Sequence, residues 1–425
     1  MNILFLSHYF PPEVNAPASR TYEHCREWVK QGHNVTVITC FPNHPNGIIY
    51  QGYKNKLVEK EVVDGINVIR VWSYLAANEG FAQRIINYVS FMLMAILFCF
   101  KSIKPDVVTS TSPQFFCGLA GFFVSRLRGA KWIFEVRDLW PESIVAVGAM
   151  KKGMAIRFLY WLELFCYRRA DAIVSVTDSF KDYIVGRGIP GEKIHIIKNG
   201  VSLEVYDIAD TDEVKEKVAK FESDYGLGGK FVAAYVGTHG MAHSLETILE
   251  AAVISKDNKD VIYLLVGDGA ERERLVSLRD QYGLQDNVVM VKQLPKSMMP
   301  IVWRVADVSL VHLRNSPTFK TVIPSKIFES LAMKKPVLLG VEGESAELLS
   351  KSGGGVCFKP EAADQLAEIV CRLAGQPAEV AELGIAGRQF VLTNYNRVAL
   401  AHDYLELFKT LSDCDEPLTD YSREK

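Results

Sequence analysis

The chain has 425 residues, of which 48% are hydrophobic and 23% charged, with a formal net charge of −2. That length points to two cores of ordinary size, and the near-neutral balance excludes the global basic excess of a nonspecific nucleic-acid binder, so nucleic acid is not an expected partner. Eight cysteines (Cys25, Cys40, Cys99, Cys117, Cys166, Cys357, Cys371 and Cys414) are scattered without a CxxC pair, which fits reduced thiols in the cytoplasm.

The first ten residues, MNILFLSHYF, are apolar at once and have no basic leader, so they read as a buried strand and not as a signal peptide. From there short apolar runs alternate with amphipathic stretches, the pattern of βαβ units around a parallel sheet. Asn2–Leu6 is an expected strand, followed by a proline-rich loop, a helix near Ala18–Gln31 stopped by Gly32, and a strand over His33–Thr39. Further strands are expected at Val107–Ser110, Trp132–Val136, Ile173–Val176 and His195–Ile197. A turn at Asn199-Gly200 and a polar stretch to about Lys230 break the rhythm. It restarts with strands at Phe231–Val236, Ile262–Val266, Val288–Val291, Val308–Val311, Val337–Gly340 and Val356–Phe358. The expected architecture is α/β: two Rossmann-like, doubly wound domains facing a cleft, where strand C-termini bind ligands.

The most informative local text is Ile323-Pro-Ser-Lys-Ile-Phe-Glu-Ser-Leu-Ala-Met-Lys-Lys-Pro-Val-Leu-Leu-Gly340. Pro324 ends an extended segment, and Ser325 and Lys326 open a helix. Free N–H groups there, with the Lys326 charge, would hold an anionic diphosphate, while Glu329 one turn on would accept hydrogen bonds from a ribose. On spacing alone a capped surface helix with solvated charges explains the same text equally well.

This segment resembles the nucleotide-sugar segment of family-4 retaining glycosyltransferases, which have the GT-B fold. The resemblance extends over nearly the whole chain, through Tyr9-Phe-Pro-Pro-Glu13, Gln31-Gly-His-Asn-Val-Thr-Val-Ile-Thr39, Asn199-Gly200-Val201 and Val266-Gly-Asp-Gly269. Within the family, Arg137-Asp-Leu-Trp-Pro-Glu-Ser143 and Thr321-Val-Ile-Pro-Ser-Lys-Ile-Phe-Glu329 are most similar to the bacterial envelope-polysaccharide branch typified by fucosamine transferases. The resemblance implies an acceptor-binding domain over 1–200 and a nucleotide-sugar-binding domain over 201–394. A C-terminal helix within 395–425 would pack back on the first domain and end in a polar tail. It also implies a UDP-linked, N-acetylated amino sugar as donor, a lipid-linked glycan of envelope polysaccharide or O-antigen as acceptor, retention of configuration, and no cofactor.

The chain departs from the family pattern in two places. The family has two glutamates separated by seven residues; Glu329 matches the second, and Thr321 stands at the first, which normally contacts donor-sugar hydroxyls. An arginine and a lysine usually follow the first strand of the second domain, where this chain reads Gly237-Thr-His-Gly-Met-Ala-His-Ser244. Arg314, Lys320 and Lys326 are the candidate replacements for neutralising a diphosphate, with His239 and His243 as added donors. Gly267, in the turn after one strand, and Lys292, after the next, complete the expected donor site.

In the first domain Glu135-Val-Arg-Asp138 ends an apolar strand. Many relatives carry a histidine where Arg137 stands, beside an aspartate like Asp138. With Lys326 these two form the expected catalytic group, and Asn15, Ser19 and Glu135 the acceptor contacts. A structural salt bridge at a strand end is the plainer reading of the same residues.

Two acidic triplets, Asp210-Thr-Asp212 and Asp413-Cys-Asp415, have the spacing of a metal site but lie in polar segments, so both read as solvated surface and no metal is expected. The apolar run Tyr88–Phe100 is shorter than the roughly 20 residues that span a bilayer. A second helix, Lys151–Arg169, carries aromatic residues between basic ends. Either both helices cover the first sheet, or they touch the inner face of a membrane. Two other functions fit the same architecture: a nucleotide-sugar 2-epimerase, and a non-catalytic partner subunit that kept the fold.

Overall fold

The computed structural model describes residues 1–75, 81–146, 153–207 and 209–413. The chain forms two compact units, Met1–Lys198 with Val398–Lys425, and Asn199–Arg397. Cys414, Lys151, Lys152, most of the second acidic triplet and the polar tail lie outside the described residues.

The first unit holds an eight-stranded sheet: β1 (Asn2–Leu6), β2 (Asn34–Cys40), β3 (Val58–Val63), β4 (Ile66–Val71), β5 (Val107–Thr111), β6 (Lys131–Val136), β7 (Ala172–Ser175) and β8 (Ile194–Ile196), in the order β3-β4-β2-β1-β5-β6-β7-β8. All neighbours are parallel except β3 and β4, an antiparallel hairpin. That hairpin is absent from the expected strands, although Asp64 and Gly65 both have positive φ, 49° and 81°, the backbone an Asp-Gly hairpin turn requires. The central strands are buried on both faces, as continuous apolar runs such as Ile3–Leu6 demand.

The helix Arg397–Asp413 belongs to this unit's core. Leu400, Ala401, Tyr404, Leu405 and Phe408 pack with Phe5, Trp28 and Val37, and the Trp28 indole donates to the Ala401 carbonyl at 2.9 Å. The helix Phe81–Phe98 continues through a 3₁₀ turn to Lys101. The stretch Gln83–Lys101 has 19 residues of mean hydropathy 1.6, so by length and composition it could cross a membrane, which corrects the expectation of too short a run. Only 28% of that stretch is buried.

The second unit holds six parallel strands: β9 (Phe231–Val236), β10 (Val261–Val266), β11 (Val288–Val291), β12 (Val308–His312), β13 (Val337–Gly340) and β14 (Gly355–Cys357). Their order is β11-β10-β9-β12-β13-β14, so the topology reverses between β9 and β12, and the loops that leave these strands surround the switch point. The unit closes where Val201 bridges Asn396 and Arg397 donates to the Gly200 carbonyl.

Candidate functional site

In the second unit, three loops at strand C-termini pack backbone against backbone. Gly237 follows β9 with φ 146°, and Gly267 follows β10 with φ 155°. A Cβ on Gly267 would lie 1.8 Å from the Gly237 carbonyl oxygen, and one on Gly237 would lie 2.9 Å from the Lys326 Nζ, so only glycine permits this approach. The Arg272 guanidinium ties the arrangement together by donating to the carbonyls of Gly267, Val291 and Met290.

Lys326 enters this cluster from the helix Lys326–Ala332. Its Nζ sits 3.8 Å above the centroid of the Tyr235 ring and, among the described residues, has no hydrogen-bond partner although it is shielded from solvent. Burial pulls its pKa down to about 7, with the nearby Glu329 carboxylate opposing the shift. Near neutrality the group is therefore poised between charged and neutral forms, and an arriving anion would hold it charged.

His239 is fully buried beside Tyr235, and among the described residues neither ring nitrogen has a hydrogen-bond partner. Burial, with the Arg272 and Lys326 charges, lowers its pKa to about 4, so it is neutral and keeps one N–H donor at physiological pH. The pKa of the His243 ring is lowered to about 3 by burial and Lys326, and among the described residues its Nδ1 also has no partner. His312 positions the loop: its Nε2 accepts from the Glu361 N–H at 2.9 Å, which leaves Nδ1 to donate to the His243 carbonyl at 2.8 Å.

The remaining expected donor residues fall into two groups. Glu329 lies one turn beyond Lys326 on the same helix, and Arg314 is exposed just after β12, its N–H donating to the Ala242 carbonyl at 2.8 Å. Lys292 is exposed after β11. Lys320 instead pairs at 2.7 Å with Glu342 in the loop after β13, and the Thr321 hydroxyl donates to the Thr318 carbonyl at 2.8 Å within its own turn. Ser325 makes no side-chain cap, and its helix is only seven residues long. Positive charge here comes from the lysine side chain, and the helix-terminus argument carries little weight. Tyr235 was not anticipated from the sequence, where it reads as one more apolar strand residue.

In the first unit the Asn15 side chain caps the helix Ala16–Lys30, accepting from the Ala18 N–H at 2.9 Å, while among the described residues its buried Nδ2 has no partner. Ser19 lies in the first turn, half-buried. Arg137 donates to the Pro17 carbonyl at 3.2 Å, which fastens the β6 terminus to the first turn of that helix. The half-buried Asp138 accepts from the Ser143 hydroxyl at 3.0 Å, and burial raises its pKa against that bond.

Glu135 does not line an open surface. Its buried carboxylate takes a 3.1 Å ion pair from Arg20 and a 2.9 Å hydrogen bond from Thr111. Burial alone would raise its pKa, but the Arg20 and Arg137 charges outweigh it and hold the carboxyl below its usual value. The geometry is that of a structural ion pair, so Glu135 is set aside as an acceptor contact. Asp210 is paired with Arg304 at 2.6 Å and Lys215 at 3.7 Å. Among the described residues, no three His, Cys, Asp or Glu side chains group as metal ligands would.

Residues 15–200 match the family described as Glycosyl transferase 4-like domain, and residues 217–390 match Glycosyl transferases group 1. The putative colanic acid biosynthesis glycosyl transferase WcaI of Escherichia coli K12 is 23% identical over 376 residues, which are 86% of this chain and 90% of that protein. Among solved structures, the sucrose-phosphate synthase of Thermosynechococcus elongatus superposes with a TM-score of 0.76 at 18% identity, over 97% of this chain and 100% of that one. The Anabaena protein HepE in complex with UDP-glucose superposes with a TM-score of 0.70 at 14% identity, over 97% and 100%. The two family matches span both units and the superpositions share their two-domain α/β architecture, so the chain belongs to the family-4, group-1 glycosyltransferases of GT-B fold.

Proposed function

We propose that this glycosyltransferase moves an N-acetylated amino sugar, with retention, from a UDP-linked donor to a lipid-linked glycan of envelope polysaccharide or O-antigen. The observation that carries the donor half is the Lys326 Nζ, buried over Tyr235 with no internal partner and flanked by the unengaged His239 ring. A desolvated cation is costly unless a ligand completes it, and a nucleotide diphosphate is the anion that glycosyltransferase chemistry delivers. Lys326 and His239 then stabilise the charge that grows on the leaving diphosphate, with Arg314 at the rim and Glu329 on the ribose. No metal is required for that neutralisation.

Retention needs no protein nucleophile in this reading. The diphosphate departs early, and its own oxygen takes the acceptor proton on the same face. Arg137 and Asp138 orient the sugar and the acceptor hydroxyl. UDP is favoured by the HepE complex with UDP-glucose, and envelope polysaccharide by the colanic acid role in the name of the E. coli relative.

An inner-membrane location is favoured by a row of rings on the first unit. Phe158 stacks on Trp161 and Trp161 on Phe165, which meets Phe122 edge-on. Trp161 is 59% exposed. Arg126 and Arg169 lie over Phe122 and Phe165, with Arg128 over Phe100. Rings at headgroup depth beneath cationic tips suit an anionic bilayer surface, at about 1 kcal/mol per basic residue. Vesicles containing anionic lipid should sediment the protein at low salt, and the folded Trp161→Glu, Phe165→Glu variant should stay in solution. Wild-type protein remaining in the supernatant would remove the membrane from the account.

The donor reading is tested by thermal shift with UDP-, GDP- and dTDP-sugars, since a ligand at 100 times its dissociation constant adds about 2.7 kcal/mol. UDP-sugars should stabilise the protein, and product analysis should find transfer and not 2-epimerisation. Stabilisation by none of the three would overturn it.

A further inference from the structure

The first unit contains a second set of polar groups, apart from the Arg137–Asp138 strand end, that the fold engages only in part. Tyr9 follows β1, His44 follows β2, and Arg84 and Tyr88 lie in the first turns of the helix Phe81–Phe98. Both sheet positions are C-terminal ends of parallel strands, where open α/β sheets bind ligands. The Tyr9 and His44 rings stand 4.9 Å apart, edge to face. The buried His8 ring, 5.2 Å from Tyr88, closes the floor.

Arg84 reaches into this nest and donates to the Tyr88 hydroxyl from Nε at 3.3 Å and from a terminal nitrogen at 3.2 Å. Among the described residues it pairs with no carboxylate, and neither the Tyr9 hydroxyl nor the His44 ring makes a hydrogen bond. The arginine deeper in the same region is different: each of the three Arg70 guanidinium nitrogens donates, to Glu61 and to the carbonyls of Cys40 and Pro11. The neighbouring acid, Glu13, is turned away, with its carboxylate accepting from the backbone N–H groups of Phe10, Asn43 and His44. A guanidinium presents five donors in a planar fork, so one hydroxyl acceptor leaves most of it open to an anion with several oxygens. Beyond Arg84 the same helix carries an exposed apolar stripe through Ile86, Leu93 and Leu97.

We propose that Arg84, aided by Tyr9 and His44, holds the phosphate of a phosphate-bearing acceptor. This deepens the acceptor reading above and rests on it. The ligand chemistry is a phosphate or diphosphate ester. It could arrive with an apolar chain, which the stripe beside Arg84 would accommodate, or as a free sugar phosphate.

The experiment uses the full-length protein saturated with UDP, so that the donor site is filled, and titrates it calorimetrically with geranyl diphosphate, inorganic pyrophosphate and geraniol. Arg84→Gln should weaken both diphosphates by about tenfold or more, the loss expected of a charge-assisted bidentate contact, with Arg84→Lys in between. UDP affinity and melting temperature should not change. Geranyl diphosphate binding more tightly than pyrophosphate assigns the site to a lipid-linked acceptor, and equal binding assigns it to a soluble phosphate; both support the site. Diphosphate binding that is absent in wild type, or equal in wild type and Arg84→Gln, overturns the proposal. Failure of wild type to bind UDP would instead strike the donor reading.

Discussion

Two charged clusters at strand ends, one in each unit, look alike in sequence and differ in their hydrogen bonds. In the first unit Arg20 and Glu135 satisfy one another, and Arg20 also donates to the carbonyls of Ile197 and Lys198 at 2.8 Å each. In the second unit the Lys326 Nζ and both His239 ring nitrogens are also hidden from water, yet among the described residues none of the three has a hydrogen-bond partner. A buried polar group that the fold satisfies is scaffolding, and one that the fold leaves open costs stability until a ligand completes it. The contrast makes the first cluster scaffolding and leaves the second open to a ligand, as the proposed donor site requires.

The sharpest way to break this contrast is to remove one member of each cluster and read both stability and binding. Glu135→Ala strands the Arg20 charge and should destabilise the first unit by about 3–5 kcal/mol, measured by denaturant unfolding, while UDP affinity in the folded protein is kept. If Glu135→Ala melts like wild type but loses activity, the pair is functional after all. Lys326→Met should do the reverse: UDP binding weakens by about 1.5–3 kcal/mol by isothermal titration, and thermal stability does not fall. A stability loss with intact binding would make Lys326 scaffolding. Glu329→Ala should cost a smaller share of nucleotide affinity, roughly tenfold for one charged hydrogen bond to the ribose, with the fold intact. Unchanged affinity for every nucleotide diphosphate would remove Glu329 from the site. EDTA should leave the rate unaltered, because Asp210 is already paired with Arg304. A rate that collapses and returns with manganese or magnesium would contradict that.

The second sheet was legible because each strand is a short, continuous apolar run bounded by turn signals, as Phe231–Val236 and Ile262–Val266 show. The β3–β4 hairpin was missed because VEKEVV half-exposes its strand at a sheet edge, where charged residues blur the apolar pattern. At the site, Lys326 stood out through its motif, but Tyr235 beneath it did not, since their contact spans 91 positions and strand periodicity marks tyrosine only as buried. Glu135 misled for a related reason. Its place at a strand end was readable, but its partner Arg20 lies 115 residues away, on a different element.

Whether the shielded Lys326 Nζ receives the donor diphosphate is read most directly from its titration. With a pKa of about 7 in the free protein, Lys326 is protonated below that pH and neutral above it. Bound diphosphate favours the charged form, so binding takes up a proton and affinity must fall as pH rises past 7. The fall should approach about tenfold per unit while the bound lysine stays protonated. His239 and His243, lowered to about 4 and about 3, are neutral throughout and add no slope. UDP titrations from pH 7 to 9 should therefore show falling affinity in wild type and a weaker, flat profile in Lys326→Met. Parallel slopes in the two proteins would contradict the account.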